Sequence, residues 1–274
     1  MNYKTILVHV DESAHAATRI ALAAQLALQN DAHLVGIALT GVSRYYYREG
    51  AADLARTVLA PHMDMLFARA GAALDGFERQ AADAGVRSYE RRLVDDETGA
   101  GLASCGLYTD LLVLGQHEPG MPSAPPGGDL AAHVLLACPR PVLVIPYIQQ
   151  ETVIGKRILV AWNGSVQATR ALSAALPFLR RAEQVTVAAF RSTDERPADP
   201  DLLPYLKRHG IEAGLLDESP GLRGGEPLLS LLVDQAADML VMGAYGRAHL
   251  SELLLGGVTR TVLESMTVPV LMAH

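Results

Sequence analysis

Two stretches of sequence decide the fold: TILVHVDES at residues 5–13 and RILVAWNGS at residues 157–165. Each is a short run of leucine and β-branched residues that leads through a polar turn into a helical pattern, which is typical of a strand followed by a helix. The stretches lie 152 residues apart, so that Asp11 in the first corresponds to Asn163 in the second. The same structural unit therefore begins twice along the chain.

The ends of the two copies also match. DLLVLG at 110–115 resembles DMLVMG at 238–243, and PRPVLVIP at 139–146 resembles TVPVLMAH at 267–274. The offset here is 128 residues, which leaves 24 additional residues inside the first copy. Two diverged copies of one domain explain both matches.

The repeat predicts two domains, at residues 1–148 and 155–274, with a linker at 149–152. The additional residues fall in an inserted segment at about 45–85, where apolar residues recur at helical spacing. Pro61 is expected to break or kink this segment, which suggests two helical segments, because proline removes a backbone donor and clashes with the preceding turn.

Strands and helices alternate within each copy. Runs such as VTVAAF at 185–190 and MLVMG at 239–243 are apolar on both faces, as parallel strands are when helices cover both sides of the sheet. We therefore predict an α/β protein with two tandem, open, doubly wound parallel sheets. The closing strands near 142–145 and 270–272 are expected to satisfy each other's edges in a pseudo-two-fold sandwich of two sheets.

Composition excludes several classes of protein. Half of the 274 residues are hydrophobic and the net charge is −7, which excludes a disordered chain and argues against nucleic acid as a partner. No run is long and apolar enough for a membrane span, and the first residues lack a signal-peptide pattern, so we expect a soluble cytoplasmic protein without a membrane partner. Cys105 and Cys138 are too few for a disulfide framework and are expected to be inert thiols.

A candidate binding site follows from the glycines of the second copy. In open parallel sheets, ligands bind beyond the carboxyl ends of the strands where the strand order reverses. There the sequence places Gly243, Gly246 and Gly256 at the spacing G-x2-G-x9-G, and Gly257 comes directly before the helical run VTRTVLESM. Glycine lets a backbone approach an anion closely, and a helix N-terminus attracts one.

These glycines, together with ILVHVDES, ILVAWNGS and the closing PVLV and PVLM, resemble the universal stress protein family in its tandem two-domain form, with the adenine nucleotide alpha hydrolase-like fold. The resemblance implies that ATP or a related adenine nucleotide binds between the loop after the first strand and the glycine loop. It assigns to the nucleotide the residues Ala161, Trp162, Asn163, Gly243, Gly246, Arg247, Gly256, Gly257, Val258 and Thr259. Whether Mg²⁺ accompanies it is left open.

The second copy departs from the family pattern at two of these positions. Asn163 stands where the family has an acidic residue, and Gly257 stands where it has Ser or Thr, although Thr259 is close by. Each change removes a hydrogen bond worth about 0.5–1.5 kcal/mol, which weakens binding without excluding it. Arg247 is the candidate for neutralising the phosphate, with His249 as a second candidate.

The first copy fits a nucleotide less well. It keeps Gly115 and Gly128, but Glu118 replaces the second glycine and Asp129 falls opposite Gly257. Two carboxylates would repel a polyphosphate, and the prolines of the intervening PGMPSAPPG remove N–H donors. We therefore predict nucleotide binding in the second domain only, with Asp11 forming a turn or a helix cap.

The sequence favours a binding or regulatory protein over a catalyst. It contains no G-x-S-x-G, H-E-x-x-H or Walker A motif, and His9, His33 and His133 lie in apolar stretches typical of structural histidines. Two alternatives stay open: a member that binds no nucleotide and acts through protein contacts, and a slow ATP hydrolase. A homodimer is a further expectation that no particular residue supports.

Overall fold

The computed structural model describes residues 2–43, 54–120, 129–190, 200–218, 224–246 and 257–274. The chain forms two compact units. The first unit comprises Tyr3–Arg140 and Gln150–Thr152, and the second comprises Met1–Asn2, Pro141–Gln149 and Val153–His274. The segment Pro141–Gln149, which belongs to the first copy of the repeat, is thus part of the second unit.

The first unit contains a parallel sheet of four strands in the order β3-β2-β1-β4. Its strands are β1 (Thr5–His9), β2 (His33–Leu39), β3 (Tyr89–Val94) and β4 (Leu111–Gly115). Its helices are α1 (Ala16–Asn30), α2 (Leu54–Asp83), α3 (Thr98–Cys105) and α4 (Leu130–Ala137), with a 3₁₀ turn at Gly106–Tyr108.

The second unit repeats this arrangement and adds one strand from the first copy. Its strands, in the order β5-β10-β9-β6-β7-β8, are β5 (Val142–Ile145), β6 (Arg157–Trp162), β7 (Gln184–Phe190), β8 (Ala213–Glu218), β9 (Met239–Gly243) and β10 (Val270–Ala273). All neighbours are parallel except β5, which is antiparallel to β10. Its helices are α5 (Val166–Leu179), α6 (Leu202–Arg208), α7 (Gly225–Asp234) and α8 (Val258–Ser265).

The strand order confirms the predicted doubly wound α/β class. In each unit the first strand of the copy lies between its second and fourth strands, so the order reverses beside β1 and beside β6. The central strands β4 and β9 are buried over most of their length, as expected for strands covered by helices on both faces. Each reversal leaves a crevice at the carboxyl ends of the strands.

Two equivalent carboxylates show that the copies share local structure as well as topology. Asp110 accepts hydrogen bonds from the backbone N–H groups of Thr5 and of the preceding residue, at 2.9 and 2.7 Å. Asp238 does the same for Arg157 and the preceding residue, at 2.9 and 3.0 Å. Both side chains hold the start of the first strand of their copy.

The inserted segment differs from its prediction. The helix α2 runs through Pro61 without a break, so the expectation of two helices was wrong. A proline interrupts only its own N–H bond, and the rest of the helix is held by the burial of Leu74 and Phe77 against the sheet. Phe77 packs so closely on Gly36 of β2 that a Cβ there would collide with its ring. Met65 is 46% exposed and therefore does not contribute to the core.

The closing strands pair, but not as a sandwich. Val144 of β5 lies opposite Val270 of β10, and Leu143 lies opposite Leu271. Hydrogen bonding along this antiparallel pair satisfies the backbone groups at the edges of both strands within one sheet. The expectation that these strands belong to two facing sheets of a sandwich was therefore wrong. Among the described residues, no helix has the length and hydropathy of a bilayer span.

Candidate functional site

In each unit, the loops after the strands at the reversal of strand order form a candidate cleft. We define the first cleft as residues 9–15, 115–120 and 129–131, which follow β1 and β4 and begin α4. The second cleft comprises residues 161–168, 243–246 and 257–259, which follow β6 and β9 and begin α8. Both contain residues that the sequence singles out.

The loop after β6 is held by its own polar side chains. Asn163 accepts a hydrogen bond from the N–H group of Ser165 at 3.2 Å, and Ser165 Oγ accepts one from Ala168 N at 3.1 Å, which caps α5. Gly164 between them has a φ of +70°, a conformation that favours glycine. Trp162 ends the strand with only 8% of its surface exposed, while Asn163 lies at the surface.

The glycines after β9 serve two different purposes. A Cβ on Gly243 would stand 2.5 Å from the Ala168 amide nitrogen, so the absence of a side chain lets α5 begin directly against β9. A Cβ on Gly246 would meet no atom of the described residues within 4 Å. Packing against the described residues therefore does not require glycine at 246, and its lack of a side chain leaves room on that side of the second cleft.

The helix α8 starts at this opening without a capping side chain. Gly257 is its N-cap residue in an extended conformation, Val258 follows half-buried, and Thr259 is 4% exposed. Thr259 Oγ1 accepts a hydrogen bond from the N–H group of Tyr245 at 3.2 Å and thereby joins the two ends of the glycine loop. The first amides of a helix lack intrahelical partners and lie at its positive end, which makes this a seat for an anion.

Two side chains near the second cleft escaped the sequence analysis. The ring of Tyr245 meets the ring of His274 edge to face at 6.4 Å, and His274 Nδ1 lies 3.1 Å from the carbonyl oxygen of Ala244. No motif marks these residues. Only the pairing of β10 beside β9 brings His274 to this place.

The first cleft is occupied by an arginine that the sequence analysis also missed. Arg19 on α1 is 3% exposed; its Nη2 lies 2.8 Å from Asp11 Oδ1 as an ion pair, and its Nε donates to the carbonyl oxygen of His9 at 2.8 Å. A Cβ on Gly115 would collide with the guanidinium. Asp11 also accepts bonds from the N–H and hydroxyl groups of Ser13, which confirms it as a turn former rather than a helix cap.

The remaining carboxylates of the first cleft also have partners within the unit. Glu118 lies 3.2 Å from His15 Nε2, across the cleft from one loop to the other. Glu12 pairs with Arg69 of the inserted helix α2. Asp129 is the N-cap of α4 and accepts a hydrogen bond from Ala131 N at 2.9 Å.

The second cleft carries no acid at any of the four equivalent positions. Asp11, Glu12, Glu118 and Asp129 correspond to Asn163, Gly164, Gly246 and Gly257, and Arg19 corresponds to Ala171. The first cleft is thus filled by ion pairs and closed by a carboxylate on its helix. The second has lost both the charges and the cap.

Burial and charge together fix the protonation states in the first cleft. Burial lowers the pKa of His9 to about 4, although the nearby Asp11 opposes this shift. Burial alone would raise the pKa of Asp11, but the guanidinium of Arg19, together with His9 and the bonds from Ser13, holds that pKa well below its usual range. At neutral pH, His9 is therefore uncharged and Asp11 is ionised.

The described residues offer little for covalent or metal chemistry. Cys105 and Cys138 are free, and burial raises the pKa of both thiols, which leaves them protonated and weakly nucleophilic as expected. In the described ranges no three histidine, cysteine or acidic side chains gather as metal ligands. Of the residues predicted at the nucleotide, Arg247 and Gly256 lie outside the described residues, as does His249.

Comparison with known proteins adds a family to this geometry. The chain matches the Universal stress protein family over residues 2–146 and 223–274. No curated protein matches it significantly.

Several solved structures are similar to the chain. A universal stress protein from Archaeoglobus fulgidus DSM 4304 is 16% identical, with a TM-score of 0.73, and the match covers 98% of this chain and 97% of that one. A functionally unknown protein from Pseudomonas aeruginosa PAO1 is 16% identical, covers 98% and 92%, and has a TM-score of 0.58. A universal stress protein from Archaeoglobus fulgidus in complex with dAMP is 18% identical, covers 53% and 98%, and has a TM-score of 0.36. The full-length similarities establish the shared fold.

Proposed function

The chain belongs to the universal stress protein family, and from that premise we propose that it is a regulatory stress-response protein that binds one adenine nucleotide, in its second cleft. ATP is the ligand that the family resemblance implies. The proposed contact residues at the end of β6 and in the glycine loop are Ala161, Trp162, Asn163, Gly243, Gly246, Arg247 and Gly256, with Gly257, Val258 and Thr259 at the phosphate.

The observation that carries this proposal is the difference between the two helix N-termini. Asp129 places its own carboxylate on the Ala131 amide in the first turn of α4, whereas Gly257 supplies no side chain to α8. The carboxylate does for α4 what a phosphate oxygen would do for α8, because both are anionic acceptors at the positive end of a helix. In the first cleft, the chain itself therefore supplies the anion at the helix N-terminus. In the second cleft, an anion from solution can take that place.

The charges around the two clefts support the same assignment. A phosphate about 4 Å from a carboxylate meets a repulsion of roughly 4 kcal/mol at an effective dielectric constant of 20. Glu118 and Asp129 would both impose it in the first cleft, while Gly246 and Gly257 impose none in the second. Arg19 also occupies the space beside Gly115 that a ligand would need.

A binding role is favoured over a catalytic one. In the second cleft, Asn163 stands at the position equivalent to the ionised Asp11. The amide of Asn163 cannot act as a general base. Its side-chain oxygen already serves the turn through Ser165. The cytoplasmic location and the homodimer expected from the sequence stay predictions.

Mass spectrometry of small molecules released from freshly purified protein tests the proposal. We expect one adenine nucleotide per chain from the wild type. A matched Gly257→Asp variant, which copies Asp129, should release none. Trp162 is the one tryptophan in the sequence and adjoins Asn163, so its fluorescence should change when ATP, ADP, AMP or cyclic AMP is added to the emptied protein. No nucleotide released and none bound on addition would leave the protein-contact alternative as the better account.

A further inference from the structure

The turn that opens the second cleft contains a residue in a strained backbone conformation. Among the described residues other than glycine, Asp31, Ala236 and Tyr245 have positive φ angles. Asp31 and Ala236 directly follow helices or their caps, where left-handed residues are common. Tyr245, with a φ of +49°, instead lies within the glycine loop, between Ala244 and Gly246. A side chain in this conformation is disfavoured and persists only where its surroundings impose it.

The neighbouring contacts identify what imposes it. The N–H group of Tyr245 donates to Thr259 Oγ1, and Thr259 is buried in the first turn of α8. On the other side, His274 lies against the Tyr245 ring and beside the Ala244 carbonyl. The hydroxyl of Thr259 is thus the link between the strained turn and the helix N-terminus.

The first unit provides an internal comparison. The residue equivalent to Thr259 is Ala131, which has no hydroxyl, and the equivalent of Tyr245 is His117, whose φ is not positive. The hydroxyl and the left-handed turn occur together in one unit and are missing together in the other. This pairing indicates that one depends on the other.

We infer that Thr259 is a positioning residue, whose hydroxyl holds Tyr245 in the left-handed conformation and so sets the backbone of Gly246 at the mouth of the cleft. This inference rests on the proposed nucleotide site. In it, the Thr259 hydroxyl does not bond to the phosphate but affects binding through the backbone of the glycine loop. Nucleotide binding then depends on the hydroxyl only because the hydroxyl keeps Tyr245 in its left-handed conformation.

A pair of variants tests the need for the hydroxyl. Thr259→Val keeps the shape and removes the hydroxyl, and we expect the dissociation constant for ATP to rise about tenfold, as for one lost hydrogen bond. Thr259→Ser keeps the hydroxyl and should bind within about twofold of the wild type. Thr259→Ala, which copies Ala131, serves if the valine variant does not fold. Wild-type affinity in a folded variant that lacks the hydroxyl overturns the inference.

A second substitution separates positioning from direct contact. Glycine adopts a positive φ without a stabilising partner, so Tyr245→Gly in the Thr259→Val background should restore most of the affinity, while Tyr245→Gly alone should bind nearly as the wild type. A hydroxyl that touched the phosphate could not be replaced in this way. A double variant as weak as Thr259→Val therefore contradicts the inference.

Amide hydrogen exchange gives a readout that needs no ligand. Thr259→Val should speed exchange at the Tyr245 amide in the ligand-free protein, and Thr259→Ser should not. If the wild type binds no nucleotide, the proposed function fails, and this exchange result alone decides the inference. Unchanged exchange at Tyr245 in the valine variant overturns it.

Discussion

Arg19 and Asp11 form an ion pair inside the first cleft, with Arg19 Nη2 at 2.8 Å from Asp11 Oδ1. The equivalent residues of the second copy are Ala171 and Asn163, which carry no charge. A chain with two copies of one fold thus has one cleft stabilised by its own charges and one cleft without them. This asymmetry supports the proposal that a ligand binds in the second cleft.

The ion pair should contribute to the stability of the first unit. Arg19→Met removes the guanidinium and leaves Asp11 uncompensated, and we expect the free energy of unfolding to fall by about 3 kcal/mol. Adding Asp11→Asn should recover part of this loss, because the amide keeps the turn hydrogen bond that Asn163 makes in the second copy. Urea unfolding followed by circular dichroism measures both. A double variant less stable than Arg19→Met alone would contradict the assignment.

Acid should weaken the protein through His9. Folded His9 takes up its proton near pH 4, whereas in the unfolded chain it does so near 6.5, so the unfolded state binds more protons between these values. Stability therefore falls as the pH is lowered, by about 2 kcal/mol between pH 7 and pH 5. Asp11 adds almost nothing in this range, because its ordinary pKa of 3.8 in the unfolded chain and its lower pKa in the folded protein both leave it ionised.

The matched variant is His9→Gln, which cannot titrate. Its free energy of unfolding should lose about 2 kcal/mol less than that of the wild type over the same pH change. Urea unfolding at the two pH values gives the comparison. An equal loss in both proteins would show that His9 titrates normally and is not held neutral by burial.

The N-terminus of α8 should accept a carboxylate from the chain at the expense of the ligand. Gly257 has an extended backbone like that of Asp129, so Gly257→Asp should cap the helix and raise the free energy of unfolding by about 0.5 kcal/mol. The same carboxylate would take the phosphate seat and abolish nucleotide binding. A variant that is stabilised yet binds ATP as before would place the phosphate elsewhere.

Sequence alone predicted the parts of this fold that depend on periodicity and repetition. The matching ends of the two copies, with Asp110 opposite Asp238, located the strands, and the apolar runs identified them as buried and parallel. Pro61 was misjudged, since the burial of Phe77 further along the helix depends on contacts that are remote in sequence. The pairing of β5 with β10 in one sheet is likewise a tertiary feature.

The candidate site was predictable where it rests on glycine spacing and not where it rests on distant side chains. Gly243 ends β9 and Gly246 follows in the next loop, as the strand pattern predicts, while their contact with a nucleotide stays a prediction. Arg19 was missed because a lone arginine within an apolar helix pattern gives no sign that it will meet Asp11. Tyr245 and His274 were missed for a similar reason, since no local rule places one beside the other.

The most direct test of the central claim is a calorimetric titration with ATP of the wild type, of Gly246→Glu and of Glu118→Gly. A Cβ at 246 would meet none of the described residues within 4 Å, so the glutamate should leave the fold intact while opposing a nearby phosphate by roughly 4 kcal/mol. We expect one equivalent bound by the wild type and by Glu118→Gly, because Arg19 and Asp129 still occupy the first cleft, and none bound by Gly246→Glu. Two equivalents bound by the wild type, or unchanged affinity in Gly246→Glu, would contradict the account.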